Sequence, residues 1–116
     1  MTIDQILQKA LYAHKNGDLK KADELYRAIL KIQPLHSNAN HNLGVIALTM
    51  NNIDFAISFF KNAVETDPNI EHFWVSYINT LIKKNYLEEA ELNSRKAIKL
   101  NPNFIIIHNI FANMLL

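Results

Sequence analysis

Apolar residues along this chain fall in helical rather than strand-like rhythm, in long stretches of helix formers broken at short, regular intervals. Almost no stretch alternates apolar and polar strictly enough to suggest a half-buried strand. The breaks carry the punctuation: only two glycines and three prolines occur in 116 residues. Pro34, Pro68 and Pro102 each follow an apolar helical pattern, at places where a residue without an N–H stops a helix. They are spaced 34 residues apart. Ala22, Ala56 and Ala90 repeat in the same phase, as do Gly17, Asn51 and Asn85, residue types that tolerate the left-handed conformation after a helix end. Two residues past that turn stand Leu19, Ile53 and Leu87. The expectation is an all-α chain of repeated helical hairpins, with units 3–36, 37–70, 71–104 and a partial unit 105–116.

A hairpin this short cannot bury its apolar face alone, so neighbouring hairpins must stack into a solenoid with one concave and one convex surface. The small Ala places let paired helices approach closely, because a bulkier side chain would wedge them apart. The whole chain is then one domain, 1–116. The 34-residue period, the "NLG" of Asn42, Leu43 and Gly44, Trp74 at the fourth place of its unit, Tyr26 and Phe60, Ala63 and Ala97, and the three prolines resemble the tetratricopeptide repeat over essentially the full length. That resemblance implies a right-handed α-solenoid of antiparallel helix pairs and a role in protein–protein interaction. Lys9, Ile78 and Ser94 depart from the pattern. Lys9 is accounted for, since the first helix has no preceding repeat to pack against, while Ile78 predicts looser pairing in the third unit. The stretch "HFWVSYINTLIK" is also similar to bacterial repeats joined to transferase domains, which supplies an alternative: a substrate-recruiting fragment of a glycosyltransferase-like enzyme.

The resemblance implies further that the first helix of each unit lines the concave groove. The groove places hold Asp4, Leu7, Gln8, Leu11, His14 and Lys15 in unit one. Unit two supplies Asn38, His41, Asn42, Val45, Leu48 and Thr49, and unit three His72, Val75, Ser76, Asn79, Ile82 and Lys83. The partial unit adds Ile106, Asn109, Ile110, Asn113 and Leu116. The candidate binding set is Asn38, His41, Asn42, Val45, His72, Ser76, Asn79, Lys83, Asn109 and Asn113. Asn inside a helix costs several tenths of a kcal/mol relative to Ala (about 0.5), so its recurrence asks for a reason. A carboxamide both donates and accepts, and can hydrogen-bond an extended peptide backbone without reading its side chains. The resemblance to the asparagine-lined groove of O-linked GlcNAc transferase arrays points the same way at Asn42. The competing explanation is composition, since Asn is frequent throughout, including Asn62 and Asn93. A two-carboxylate clamp for chaperone C-termini is excluded: Leu7 stands where its first Lys belongs, and His72 and Ser76 replace its third-unit basic pair.

Charge narrows the partner class. Twelve basic residues face eleven acidic ones, for a net charge of +1, and the units carry +2 (1–36), −2 (37–70) and +1 (71–104). No basic stripe exists for nucleic acid. Asp23 with Arg27 and Glu91 with Arg95 have the i,i+4 spacing of solvated surface pairs. There is no cysteine, which excludes disulfides, thiolate zinc sites and cysteine nucleophiles. His41 and His72 can approach across adjacent first helices, but no HExxH motif or carboxylate at ligand spacing supports a metal, so none is expected. None of the four serines lies in a nucleophile elbow, two glycines cannot build a phosphate cradle, and no catalytic residue or cofactor is expected. No apolar stretch reaches the roughly 18 residues a membrane span requires, and "MTIDQILQKA" has no signal-like apolar core, so a cytoplasmic protein without membrane contact is expected.

The last segment, "IIIHNIFANMLL", has only His108, Asn109 and Asn113 as polar residues. In phase it is the first helix of a fourth unit without its second. His108, Phe111, Ala112 and Leu115 are expected at packing places covered by the third unit, leaving Ile107, Ile110 and Met114 open. Either the natural chain continues past Leu116, or two copies pair through this helix as a homodimer; continuation is the favoured expectation, with self-association through Ile107, Ile110 and Met114 its consequence in the isolated chain.

Overall fold

The computed structural model describes residues 1–116 and consists of seven helices and no strand: α1 (Ile3–Lys15), α2 (Leu19–Ile32), α3 (Ser37–Thr49), α4 (Ile53–Thr66), α5 (Glu71–Lys83), α6 (Leu87–Leu100) and α7 (Ile105–Met114). First helices begin at Ile3, Ser37, Glu71 and Ile105, and second helices at Leu19, Ile53 and Leu87, each set in 34-residue register. The turn between paired helices needs one residue in the left-handed region. Gly17 (φ 80°), Asn51 (φ 61°) and Asn85 (φ 67°) supply it. Starts are fixed by local chemistry: Thr2 and Gln5 form a capping box on α1, the Asp18 carboxylate accepts from the Lys21 N–H on α2, and His36 Nδ1 accepts from the Ala39 N–H on α3.

The prolines do more than stop helices. Each leaves its carbonyl where the fourth residue of the next unit reaches back to it: Asn40 Nδ2 donates to Pro34 O (3.2 Å), Trp74 Nε1 to Pro68 O (2.8 Å) and His108 Nε2 to Pro102 O (2.8 Å). Proline and fourth place thus form one joint, made three times with three different side chains.

The stack is elongated, 46 × 26 × 21 Å. Ala10, Ala22, Ala56, Ala63, Ala90 and Ala97 are fully buried where helices cross. Gly44 shows how close the approach is, since a Cβ there would lie 2.5 Å from the Phe60 ring. Ile78 and Ser94 occupy the corresponding places of the third unit, and both are fully buried. The large residue has moved from the second helix to the first. The α5 and α6 backbones approach each other less closely than α3 and α4 do, as room for Ile78 requires. The core divides in two. One cluster joins α1 and α2 to Ala39, Leu43 and Ile46 of α3, and the other runs from Ala47 to Ile107.

The last helix corrects the expected assignment of its faces. Ile107 is fully buried, and Ile110 and Met114 pack against the core of the third unit. His108, Ala112 and Leu115 are the exposed ones, Leu115 at 60%. Phe111 is half-buried, with the Arg95 guanidinium 4.8 Å from its ring centroid. The reason lies in the repeat. In α3, Ala39, Leu43 and Ile46 face the preceding unit, while Gly44 meets the second helix of its own unit. Ile107, Phe111 and Met114 stand in the first set of places, and Ala112 in that of Gly44. No helix of the chain is long and apolar enough to cross a membrane.

Candidate functional site

Consecutive first helices lie side by side. His41 of α3 meets His72 and Ser76 of α5, and the Glu71 carboxylate of α5 accepts hydrogen bonds from the Ile106 (2.9 Å) and Ile107 (3.3 Å) N–H groups of α7. This row carries all ten candidate binding residues.

At its centre is a compact polar–aromatic cluster. His41 Nε2 lies 2.8 Å from Ser76 Oγ. Its ring stacks on Phe73 (centroids 4.9 Å apart, planes at 30°), leans on Phe60 at 5.2 Å, and takes the edge of His72 at 5.2 Å. Desolvation, and then the nearby His72, lower the His41 pKa to about 4, against an opposing hydrogen bond from the Asn42 side chain. The cluster is therefore uncharged at His41 near neutral pH. The two imidazoles approach as the spacing foretold, yet no group of three metal-ligating side chains gathers anywhere in the chain.

Toward the end of the row a cavity of about 440 Å³ opens between α5, α6 and α7. Asn79 and Asn113 stand at it with Glu91, over Ile82, Leu87, Ile110 and Met114. Sequence reasoning placed Asn79 and Asn113 in the row but missed Leu87 and Glu91, which come from a second helix where Glu91 was read only as half of a solvated surface pair. Asn38, Lys83 and Asn109 are exposed and stand apart from both assemblies; Val45 is half-buried against the core.

The carboxamides sort by position. Away from the row, mid-helix Asn40, Asn62 and Asn93 all hydrogen-bond within the chain. In the row, Asn38, Asn79, Asn109 and Asn113 make no side-chain hydrogen bond to protein, while Asn42 engages His41.

A larger cavity, about 760 Å³, lies on the other side between α2, α3 and α4, with Leu43, Ile46, Met50, Phe55 and Phe59 beneath a charged rim of Lys20, Asp23, Glu24 and Arg27. The Asp23–Arg27 ion pair (2.8 Å) and the Arg27 guanidinium over Phe59 (5.7 Å) form part of that rim.

The molecule is a helical-repeat solenoid, a class whose members are defined by stacked hairpins and the surfaces these present. The sequence profile of the tetratricopeptide repeat matches residues 6–34, 37–70 and 79–104. The chain belongs to the tetratricopeptide repeat family. The third match begins only after Ile78, the residue that departs from the pattern. Among solved structures, a mutant of the Thermobaculum terrenum O-GlcNAc transferase superposes with a TM-score of 0.78 at 25% identity, over 97% of this chain and 22% of that one. The first TPR of Spaghetti (RPAP3) bound to an HSP90 peptide gives 0.80 at 17% identity, covering 97% and 91%. The Yersinia enterocolitica type III secretion chaperone SycD in complex with a peptide of the translocator YopD gives 0.79 at 23%, covering 97% and 88%. This chain therefore spans about a fifth of the transferase's length. No curated protein matches the sequence significantly.

Proposed function

We propose that the row of first helices is a concave groove that binds an extended peptide or protein segment, without catalysis. The observation that carries this reading is the contrast among asparagines. Four carboxamides on one face have no partner within the chain, although those elsewhere in helix interiors are satisfied. Compositional abundance of Asn would not sort them by face. Each offers a donor and an acceptor to a passing peptide backbone, and the His41–Ser76 cluster supplies a further, uncharged polar surface. The cavity beside Asn79 and Asn113 accommodates an apolar side chain of the bound segment. Peptide complexes of RPAP3 and SycD support the general mode.

Selection of ligands from a displayed random-peptide library, repeated with Asn42→Ala and Asn79→Ala, tests it. Selected peptides are expected to lose about tenfold in affinity, the worth of one or two hydrogen bonds. If every ligand keeps its affinity for both variants, the asparagine groove is not the site. A second reading, recruitment of protein substrates to a transferase domain, is favoured by the similarity to the Thermobaculum enzyme. A full reading frame without such a domain overturns it.

A further inference from the structure

The trough between α2 and α4, about 760 Å³, is bounded by two complete repeats. A further hairpin stacked on either end of the solenoid would lie beyond it and leave it open. Leu43 and Ile46 of α3 form its floor, and beside them Phe55 and Met50 project into solvent, 66% and 62% exposed. The repeat itself does not call for this apolar surface. One unit on, between α4 and α6, the places of Met50, Phe55 and Phe59 hold Lys84, Glu89 and Asn93. There Lys84 of the α5 C-terminus pairs with Asp54 of α4 at 3.3 Å, and Asp54 stands in the place of Lys20. The same surface of the fold is thus polar and internally paired in one junction and apolar and open in the other. A contiguous apolar patch with a charged rim marks a surface that meets another molecule.

Shape and charge together decide which molecule. The patch holds a projecting ring and an apolar hollow side by side, so it offers both halves of a contact with its own copy, as a two-fold interface requires. Its rim carries two cations and two anions, Lys20 and Arg27 with Asp23 and Glu24, so two such patches do not repel each other. Asp23 and Arg27 close on one another at 2.8 Å. Lys20 and Glu24 have the same i,i+4 spacing, yet they make no ion pair with each other or with any other group. Lysine ahead of glutamate is the weaker order on a helix. If α2 crosses its own copy antiparallel, with the axis level with Ala22, Lys20 of each copy meets Glu24 of the other. Phe55 is one residue from Ala56, the counterpart of Ala22 in the next unit, so the same axis brings the two Phe55 rings together over the hollow. One symmetry operation therefore covers the exposed ring and pairs both free charges.

We infer that the α2–α4 trough is a two-fold interface between copies of this chain, with the Phe55 rings at its centre and Lys20–Glu24 pairs on either side. The interface lies on the opposite side from the row of first helices and is independent of the groove, and it is distinct from pairing through α7. Sedimentation of the intact chain over a range of concentrations tests it, and a reversible monomer–dimer equilibrium is expected. Phe55 is exposed, so Phe55→Glu leaves the fold in place, and it is expected to raise the dissociation constant about tenfold or more. Lys20→Glu and Glu24→Lys each set like charges against each other across the axis, and each is expected to weaken the dimer about fivefold. Mixing these two variants sets glutamate against lysine at both places, so the mixture is expected to form a heterodimer tighter than either variant alone. A change in the helix itself would not be repaired by mixing. A chain that stays monomeric at every concentration overturns the inference, as does a dimer that survives Phe55→Glu. So does a mixture no tighter than its components, or a dimer that is lost with Ala112→Arg on α7.

Discussion

Gly44 shows how a single place sets the spacing of two helices. Alanine favours helix over glycine by about 1 kcal/mol, so an unconstrained Gly44→Ala change would stabilise. The fully buried Phe60 ring, 2.5 Å from the added carbon, has nowhere to go. Overpacking of this kind costs roughly 1–3 kcal/mol, and a net loss of about 1 kcal/mol is expected in urea unfolding, recovered in the double variant with Phe60→Leu. His41 gives a pH dependence. Its pKa falls from 6.5 in the unfolded chain to about 4 in the fold, so folding favours the neutral ring. The stabilisation is whole above pH 6.5 and is lost as pH falls toward 4, by about 2 kcal/mol once the ring's partial exposure is allowed for. His41→Gln is expected to flatten the wild-type decline between pH 6.5 and 5, before most carboxylates titrate; an unchanged slope would show that another group controls it. At this scale the sequence was legible place by place but not across places. Ile78 and Ser94 each read as a departure, and only the structure shows that one makes room for the other.

Elements were legible wherever their ends carry chemistry. The turn residues Gly17, Asn51 and Asn85, the prolines and the Thr2–Gln5 box fix both boundaries and register. The α7 helix has apolar residues on every side, so its composition does not say which side meets the third unit, and apart from Phe111 its faces were assigned in reverse. What holds it is contributed from elsewhere: Phe104, its N-cap residue, makes no side-chain capping bond, and the Glu71 carboxylate of α5 takes that role across the repeat boundary. A carboxylate on the first-turn N–H groups of a helix is worth about 1 kcal/mol. Glu71→Ala is accordingly expected to speed amide exchange throughout α7 by about fivefold, with α1 to α4 unaffected. Equal acceleration in every helix would show that α7 does not open by itself. The row proposed to bind was legible as a row because the repeat places its residues every 34 positions. Its cavity was not, because Leu87 and Glu91 reach it from a helix whose own pattern reads as outward-facing.

At the scale of the whole molecule the two core clusters meet within α3. Leu43, 1% exposed, belongs to the cluster of the first repeat, while Ala47, one helical turn on, belongs to the other. In a stack where each unit touches only its neighbours, stability is a sum of unit and interface terms, and a weakened interface splits the unfolding. Removing three carbons from a buried Leu costs about 2–5 kcal/mol. Leu43→Ala places that loss on the interface between repeats one and two. Leu81→Ala, fully buried in the other cluster, places it beyond. Hydrogen exchange is therefore expected to rise first in α1 and α2 for Leu43→Ala, and first in α5, α6 and α7 for Leu81→Ala. The row of asparagines crosses this boundary, with Asn38 and Asn42 on α3 and Asn79 and Asn113 beyond it. A ligand that spans them ties both clusters together, so it should suppress the α1 and α2 exchange of Leu43→Ala even though it touches neither of that variant's lost contacts. A ligand confined to the cavity at Asn79 and Asn113 would leave that exchange unchanged, and the same measurement thereby reads how far along the groove a bound peptide runs.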